Sequence, residues 1–293
     1  MRLVTRGDLD GLTASVLISE MEEISEILLV HPQDVTDSKI EITPEDIMAN
    51  LPYDPRCGMW FDHHAHTVMP EGQYRGSYAA APSVARVIYD YYDSEQLKRF
   101  EHLVIETDRF DSADLTMEDV SNPQDVILLG FLIDPRTGMK GDFRGQFNSL
   151  VERLRTRSSA EVLNDLDLRE QTIAFRRDQE KFSEFLLAHS KIHDKVVVTD
   201  FRDLDDPPVG NRFLVYTTFP KSNVSLRIQW GPGKKFVALN IGHSIFDDSC
   251  TVDVGELCRN YGGGGHKGAG GCVLRAMAAG LAIRIITEKL RKN

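Results

Sequence analysis

At 293 residues the chain is too long for one minimal core and fits two domains of ordinary size. Its 41% hydrophobic and 27% charged residues describe a globular chain, and no apolar run approaches the roughly 20 residues a membrane span needs. A net charge of −11 argues against tight, sequence-independent binding of duplex DNA, which needs a basic footprint. It leaves room for a small phosphorylated ligand held by a metal and a few cations.

Arg2 to Thr5 reads as a short apolar strand, followed by the turn Arg6-Gly-Asp-Leu-Asp-Gly11 and helical apolar spacing over Leu12 to Met21. This opening has no apolar stretch of signal-peptide length before acidic residues begin. Glu26 to His31 is a second strand bounded by Pro32. Lys39 to Ile47 alternates weakly and carries a third, and Gly58 to Phe61 is a fourth that ends in Asp62-His63-His64. Ala79 to Tyr92 and Glu95 to Asp108 read as helices, and Val126 to Ile133 is a further apolar segment. Strands alternating with helices predict a doubly wound parallel α/β sheet, whose ligands gather at the carboxyl ends of the strands. The polar clusters at 6–11, 46–50 and 62–66 all follow apolar runs, so the sequence predicts that they converge on one edge. A first domain is thus expected over 1–157 and a helical connection over 158–191. A smaller α+β domain over 192–293 follows, with strands in KVVVTDF, FLVYTTF, NVSLRIQW and KFVALNIG and a closing helix over Ala276 to Lys292. Cys57, Cys250, Cys258 and Cys272 form no CxxC pair, which argues against a zinc knuckle. Scattered thiols suit a reducing compartment, and a cytoplasmic location is expected.

Asp8 and Asp10 sit two residues apart in a glycine-flanked turn after a strand, a placement that points both carboxylates toward one ion or a pair of ions. The same residues also suit helix capping, by Asp10 or Thr13. Asp62-His63-His64, with His66 close by, ends an apolar strand. Carboxylates and neutral imidazoles are natural ligands for Mn²⁺-like ions, whereas the alternative is a polar surface turn. In the second half, Tyr261-Gly-Gly-Gly-Gly-His-Lys-Gly-Ala-Gly-Gly271 lies between a helical segment and the strand GCVL. Its glycines Gly263, Gly264 and Gly265 expose backbone N–H groups to an anion, and His266 and Lys267 add donors and charge. A flexible linker would lack the His-Lys insert.

The D-x-D-G near the N-terminus and the D-H-H about fifty residues later resemble the first and third motifs of the DHH phosphoesterase family. The Gly-rich run resembles the GGGHxxAAG signature of its DHHA1 domain. The resemblance implies two divalent ions, usually Mn²⁺, with Mg²⁺ or Co²⁺ as substitutes, and with Arg6 where the family has a histidine one or two are expected here. It also implies a bridging aspartate from a second motif and another from a fourth. On that reading Asp8, Asp10, Asp46, His63 and Asp108 are metal ligands. Asp34 and Asp37 compete with Asp46, and Asp111 competes with Asp108. Asp62 and His64 would orient ligands and contact the scissile phosphate, while the ions would acidify a water and neutralise charge on the phosphate oxygens. The family's first motif usually begins with a metal-ligating histidine, where this chain has Arg6. Arginine cannot coordinate a cation, so the first metal site is weakened, or Arg6 grips phosphate itself, or it pairs with a neighbouring acid.

Arg227, Arg136 and His243, the last beside Ser244, are further candidate phosphate contacts. His243 and Ser244 stand where the resemblance implies an arginine and a serine, and a cross-strand polar pair is the alternative reading. The resemblance implies hydrolysis of a phosphodiester in a short single-stranded oligonucleotide or dinucleotide. The scissile phosphate would lie at the Asp/His site and the far end of the substrate at the Gly-rich loop. Polyphosphate hydrolysis and a weakly active nucleotide sensor are the other readings, and a homodimer is compatible with either.

Overall fold

Five short strands, β1 (Arg2–Thr5), β2 (Glu26–Leu29), β3 (Asp46–Ala49), β4 (Met59–Asp62) and β5 (Gly76–Tyr78), build the first sheet. In the computed structural model, which describes residues 1–64, 72–134 and 141–292, they pair in the order β2-β1-β3-β4-β5, each neighbour parallel to the next. All four residues of β3 and of β4 are buried, as a parallel sheet covered on both faces requires. The period-2 alternation splits them between two cores. Leu3, Ile47, Met59 and Phe61 pack with Leu12, Val16 and Leu17 of the helix Leu9–Met21 and with Val84 and Ile88 of the helix Val84–Tyr92. Val4, Met48 and Trp60 pack on the other side with Val35, Ile42 and Leu51. Each fully buried aliphatic or aromatic side chain in these layers contributes about 1.5–3 kcal/mol relative to exposure.

The doubly wound sheet agrees with the sequence reading, and the differences are local. The third strand begins only at Asp46. Residues 39–45 precede it without strand structure, and Thr43 N–H turns back to Asp46. Strand β5 is too short to be read from Gly-Ser-Tyr. It depends on Gly76 (φ 112), where a Cβ would lie 1.9 Å from the Trp60 carbonyl oxygen. The segment 95–111 is a 3-10 turn, Glu95–Phe100, running into the helix Glu101–Asp111.

The second sheet takes β6 (Ser190–His193), β7 (Val196–Asp200), β8 (Val224–Trp230), β9 (Phe236–His243), β10 (Gly264–His266) and β11 (Ala269–Arg275) in the order β10-β11-β9-β8-β7-β6. Of these strands only β7 and β8 run parallel. Val224, Leu226 and Ile228 alternate with half-buried neighbours and face Val237, Leu239 and Ile241. Ala279, Ile286 and Leu290 of the helix Ala276–Arg291 complete that core. FLVYTTF, expected as a strand, instead forms the short helix Leu214–Thr218, in which Leu214, Val215 and Tyr216 are all buried. Consecutive burial without alternation is the pattern that a brief apolar run leaves ambiguous. The chain divides into two compact units: Met1–Leu115 with Pro123–Phe175, and Thr116–Asn122 with Arg176–Asn293. The helix Leu166–His189 contributes to both. No described helix is long and apolar enough to cross a membrane.

Candidate metal centre

Strand order reverses between β1 and β3, so the crevice beyond their carboxyl ends is where this architecture receives ligands. The chain leaving β1 enters the helix Leu9–Met21 through Asp8, whose Oδ1 accepts the Gly11 N–H at 2.9 Å. The cap is therefore Asp8, neither Asp10 nor Thr13. Gly11 cannot be replaced in this turn, because a Cβ there would lie 2.0 Å from the Arg6 carbonyl oxygen. Asp10 is buried to 1% exposure and accepts the Val84 and Ala85 N–H groups, each at 2.9 Å, at the start of the helix Val84–Tyr92. Burial, then the negative charges of Asp111 and Asp8, push the Asp10 pKa well above the ordinary carboxylate range, against the pull of those two amides.

Strand β4 delivers Asp62, His63 and His64. His63 Nδ1–H donates to the Ala81 carbonyl at 3.0 Å, which leaves Nε2 with its lone pair. That Nε2 is buried without a hydrogen-bond partner, 3.5 Å from Asp10 Oδ2 and 3.4 Å from Asp111 Oδ2. These three facing atoms, two carboxylate oxygens and a bare imidazole nitrogen, all lie within 4.8 Å of one another. Burial also raises the Asp111 pKa. His63 opposes that shift, and Asp8 adds to it. A divalent cation removes the repulsion and supplies the missing partner for His63, so the residues fit such an ion. Beside them His64 Nδ1 meets Asp62 Oδ1 at 2.7 Å. That hydrogen bond raises the His64 pKa above its ordinary value, with burial opposing.

Two of the expected ligands are held elsewhere. Asp108 accepts from Arg86 Nε and Nη2, at 2.9 and 2.7 Å, and from the Ser83 hydroxyl at 2.6 Å. Its rival Asp111, the last residue of the same helix, is the one that faces His63. Asp46 begins β3, in register with Arg2 at the start of β1, and so lies at the opposite edge of the sheet from Asp8 and His63. Its carboxylate is taken by Arg2, through two contacts of 2.7 Å, and by the Thr43 N–H. Asp34 and Asp37 pair with Lys39 on the surface. The residue at the carboxyl end of β3 is Asn50 (φ 62), whose side-chain amide donates to Asp8 Oδ1 at 3.2 Å. The sequence reading gives Asn50 to Tyr53 only the task of fixing the loop after Asp46, because it puts Asp46 at the end of the third strand, where the structure has its start. Of the readings open for Arg6, pairing with an acid is observed: Nε lies 3.1 Å from Asp8 Oδ2.

A cavity of about 590 Å³ beside the centre is lined by Asn50, Asp62 and His64 together with Pro32, Val35, Leu51 and Tyr53. In the second unit the Gly-rich run is a β-hairpin, with Gly264–His266 paired to Ala269–Gly271. The Gly268 N–H donates to His266 Nδ1 at 3.2 Å, and the exposed His266 and Lys267 stand at its tip. His243 Nε2–H donates to the Val252 carbonyl at 3.0 Å. Burial, then the nearby Lys267 and His266, lowers its pKa. Arg227 lies on β8 opposite Asn240 of β9. Arg136 and His66 fall outside the described residues.

No family model and no curated protein matches the chain. Among solved structures, the pGpG-specific phosphodiesterase PggH from Vibrio cholerae is similar over 99% of both chains, with 32% identity and a TM-score of 0.91. The chain belongs to the DHH family. Other members of this DHH fold lie further away. RecJ from Thermus thermophilus, solved with Mn²⁺, aligns over 100% of this chain and 52% of its own, at 11% identity and a TM-score of 0.56. An exopolyphosphatase-related protein from Bacteroides fragilis aligns over 99% and 91%, at 11% identity and 0.52.

Proposed function

We propose that this DHH protein is a divalent-metal-dependent phosphodiesterase that cleaves short linear oligonucleotides, with linear dinucleotides of the pGpG type as the favoured substrates. The observation that carries this reading is the convergence of Asp10, Asp111 and the unpartnered His63 Nε2 beside a cavity of about 590 Å³. When bound, the ion supplies an acidified water and neutralises charge on the phosphate oxygens. Mn²⁺ is the ion we favour, because an imidazole with two carboxylates suits it, and Mg²⁺ or Co²⁺ would substitute. Around that ion the chain's own residues have separate tasks. Asp10 and Asp111 hold it by charge. Ala81, through its carbonyl, keeps His63 turned with Nε2 inward. Asp62 holds the His64 imidazole and favours its charged form, so that His64 binds a phosphate oxygen or gives a proton to the leaving oxygen.

Val35, Leu51 and Tyr53 in the cavity offer apolar contact to a base or ribose. Polyphosphate has no group that gains from such a surface, which is why a dinucleotide is preferred to the polyphosphate reading. In the second unit, we assign the hairpin tip at His266 and Lys267, with Gly263, Gly264, Gly265, His243 and Arg227, to binding the part of the substrate away from the scissile phosphate.

The test is a hydrolysis panel with Mn²⁺ and with chelator, using pGpG, a longer single strand, polyphosphate and pyrophosphate, with Asp62→Ala as control. Release of mononucleotide from pGpG, abolished by chelator and by the substitution, is the expected result. Preference for polyphosphate would replace this reading with the phosphoanhydride one, and Mn²⁺-dependent binding without turnover would replace it with a sensor.

A further inference from the structure

Two kinds of environment sit side by side in the centre. Asp10 and Asp111 face His63 Nε2, which is buried without a hydrogen-bond partner, and among the described residues neither carboxylate has a guanidinium or ammonium against it; Asp10 accepts only the backbone N–H groups of Val84 and Ala85. Asp8, between the carboxyl ends of β1 and β3, is already supplied: the Gly11 N–H and the Asn50 amide donate to Oδ1, and the Arg6 guanidinium lies against Oδ2. A guanidinium remains protonated and has no lone pair for a metal, and its charge repels a second cation beside it. Asn50 extends the same pattern, since the residue at the carboxyl end of β3 brings a neutral amide to Asp8. One carboxylate is thus neutralised by a side chain, and the other two are left to an ion.

We propose that the centre is mononuclear. A single divalent ion is held by Asp10, His63 and Asp111, and Arg6, steadied by Asp8, is the second positive charge that meets the scissile phosphate. Arg6 is 37% exposed, so its remaining N–H groups reach an incoming anion while Nε stays on Asp8. The inference rests on the phosphodiesterase reading for the identity of the anion, but its ion count does not.

The test uses the full chain. Purified protein is saturated with Mn²⁺, freed of excess ion, and assayed for bound manganese and by electron paramagnetic resonance. One ion per chain, with the six-line spectrum of isolated Mn²⁺, is expected; two ions with an exchange-coupled spectrum would overturn the proposal. Arg6→His combined with Asn50→Asp is expected to gain a second ion, and Arg6→Ala to keep one with its affinity within a few-fold. In Arg6→Ala, kcat/KM for pGpG should fall by about 100-fold, as for loss of one preorganised charge-stabilising group, and Arg6→Lys should recover part of it. Unchanged kcat/KM in Arg6→Ala would remove Arg6 from the reaction. If the wild-type protein cleaves no nucleotide, the phosphodiesterase reading fails by itself. The ion count is still decided without substrate, and binding of inorganic phosphate to the Mn²⁺-loaded protein, at least tenfold weaker in Arg6→Ala, decides the role of Arg6. Equal phosphate binding by both proteins would overturn that role.

Discussion

Asp10 and Asp111 hold their protons to higher pH than free carboxylates do, because burial first and then neighbouring negative charge disfavour the ionised forms. Folded, metal-free protein therefore binds protons that the unfolded chain has released. The contribution of these groups to stability falls as pH rises from the unfolded value of 3.8 through their raised folded values. A metal ion reverses the sign, since it must displace those protons. Apparent Mn²⁺ affinity should weaken on acidification through that window by about tenfold per pH unit for each proton displaced. Calorimetric titration over a pH series measures this, and Asp111→Asn should flatten the dependence. His64 behaves oppositely to a buried neutral histidine. Its folded pKa is raised by Asp62, so the pair's stabilisation is complete below 6.5 and is lost as pH rises through the folded value. In Asp62→Asn the His64 resonance should titrate at lower pH, and the alkaline limb of the rate profile should move with it. Asp108 and Asp111 separate structure from chemistry three residues apart. Asp108→Asn, which strips Arg86 of a partly buried partner, should cost about 1–3 kcal/mol in urea melts while metal affinity is kept. Asp111→Asn should do the reverse.

At the scale of elements, the hairpin β10–β11 depends on backbone space. Gly265, in register with Gly270, has φ 143, and a Cβ there would lie 2.2 Å from the Ala269 carbonyl oxygen. Gly265→Ala should destabilise the hairpin by about 1–3 kcal/mol and raise KM with little change in kcat. Gly262→Ala, at φ 74 with nothing within 4 Å of its Cβ, should cost only about 1–2 kcal/mol from the left-handed backbone and leave KM near the wild-type value. Equal KM values in the two variants would argue that the hairpin holds no substrate. On the other sheet, the helix Val84–Tyr92 offers its first N–H groups to Asp10, while its cap Ser83 accepts from Arg86 N–H and donates to Asp108. One helix start thus fixes a candidate ligand and anchors the helix that carries the other.

The whole molecule has separate cores, one pair around the parallel sheet and another against the mixed sheet. The centre is built entirely from the first unit, so a bound ion should stabilise that unit directly, by about 2.7 kcal/mol at an ion concentration 100-fold above Kd. Scanning calorimetry with Mn²⁺ and with chelator is expected to move one component of the transition and leave the component that reports the mixed sheet in place. A shift of both by the same amount would show that the two units unfold as one.

The parallel sheet, the acid turn after β1 and the histidines after β4 were readable from the sequence because each rests on local signals: an apolar run, a glycine-flanked turn and a polar cluster at its end. The sequence by itself also set the absence of a histidine at position 6. What tertiary structure decided was partnership. Asp46 and Asn50 stand at opposite ends of one strand, and only the pairing of Arg2 with Asp46 says which end faces the crevice. Asp108 and Asp111 share a helix, and only the position of Arg86 assigns one to a salt bridge and leaves the other to His63. FLVYTTF has the composition of a strand but is buried on successive residues, a choice made by its neighbours. Local sequence fixes which groups can bind a cation or cap a helix. Which of them remain without a partner depends on residues 22 to 74 positions away, brought close only by folding.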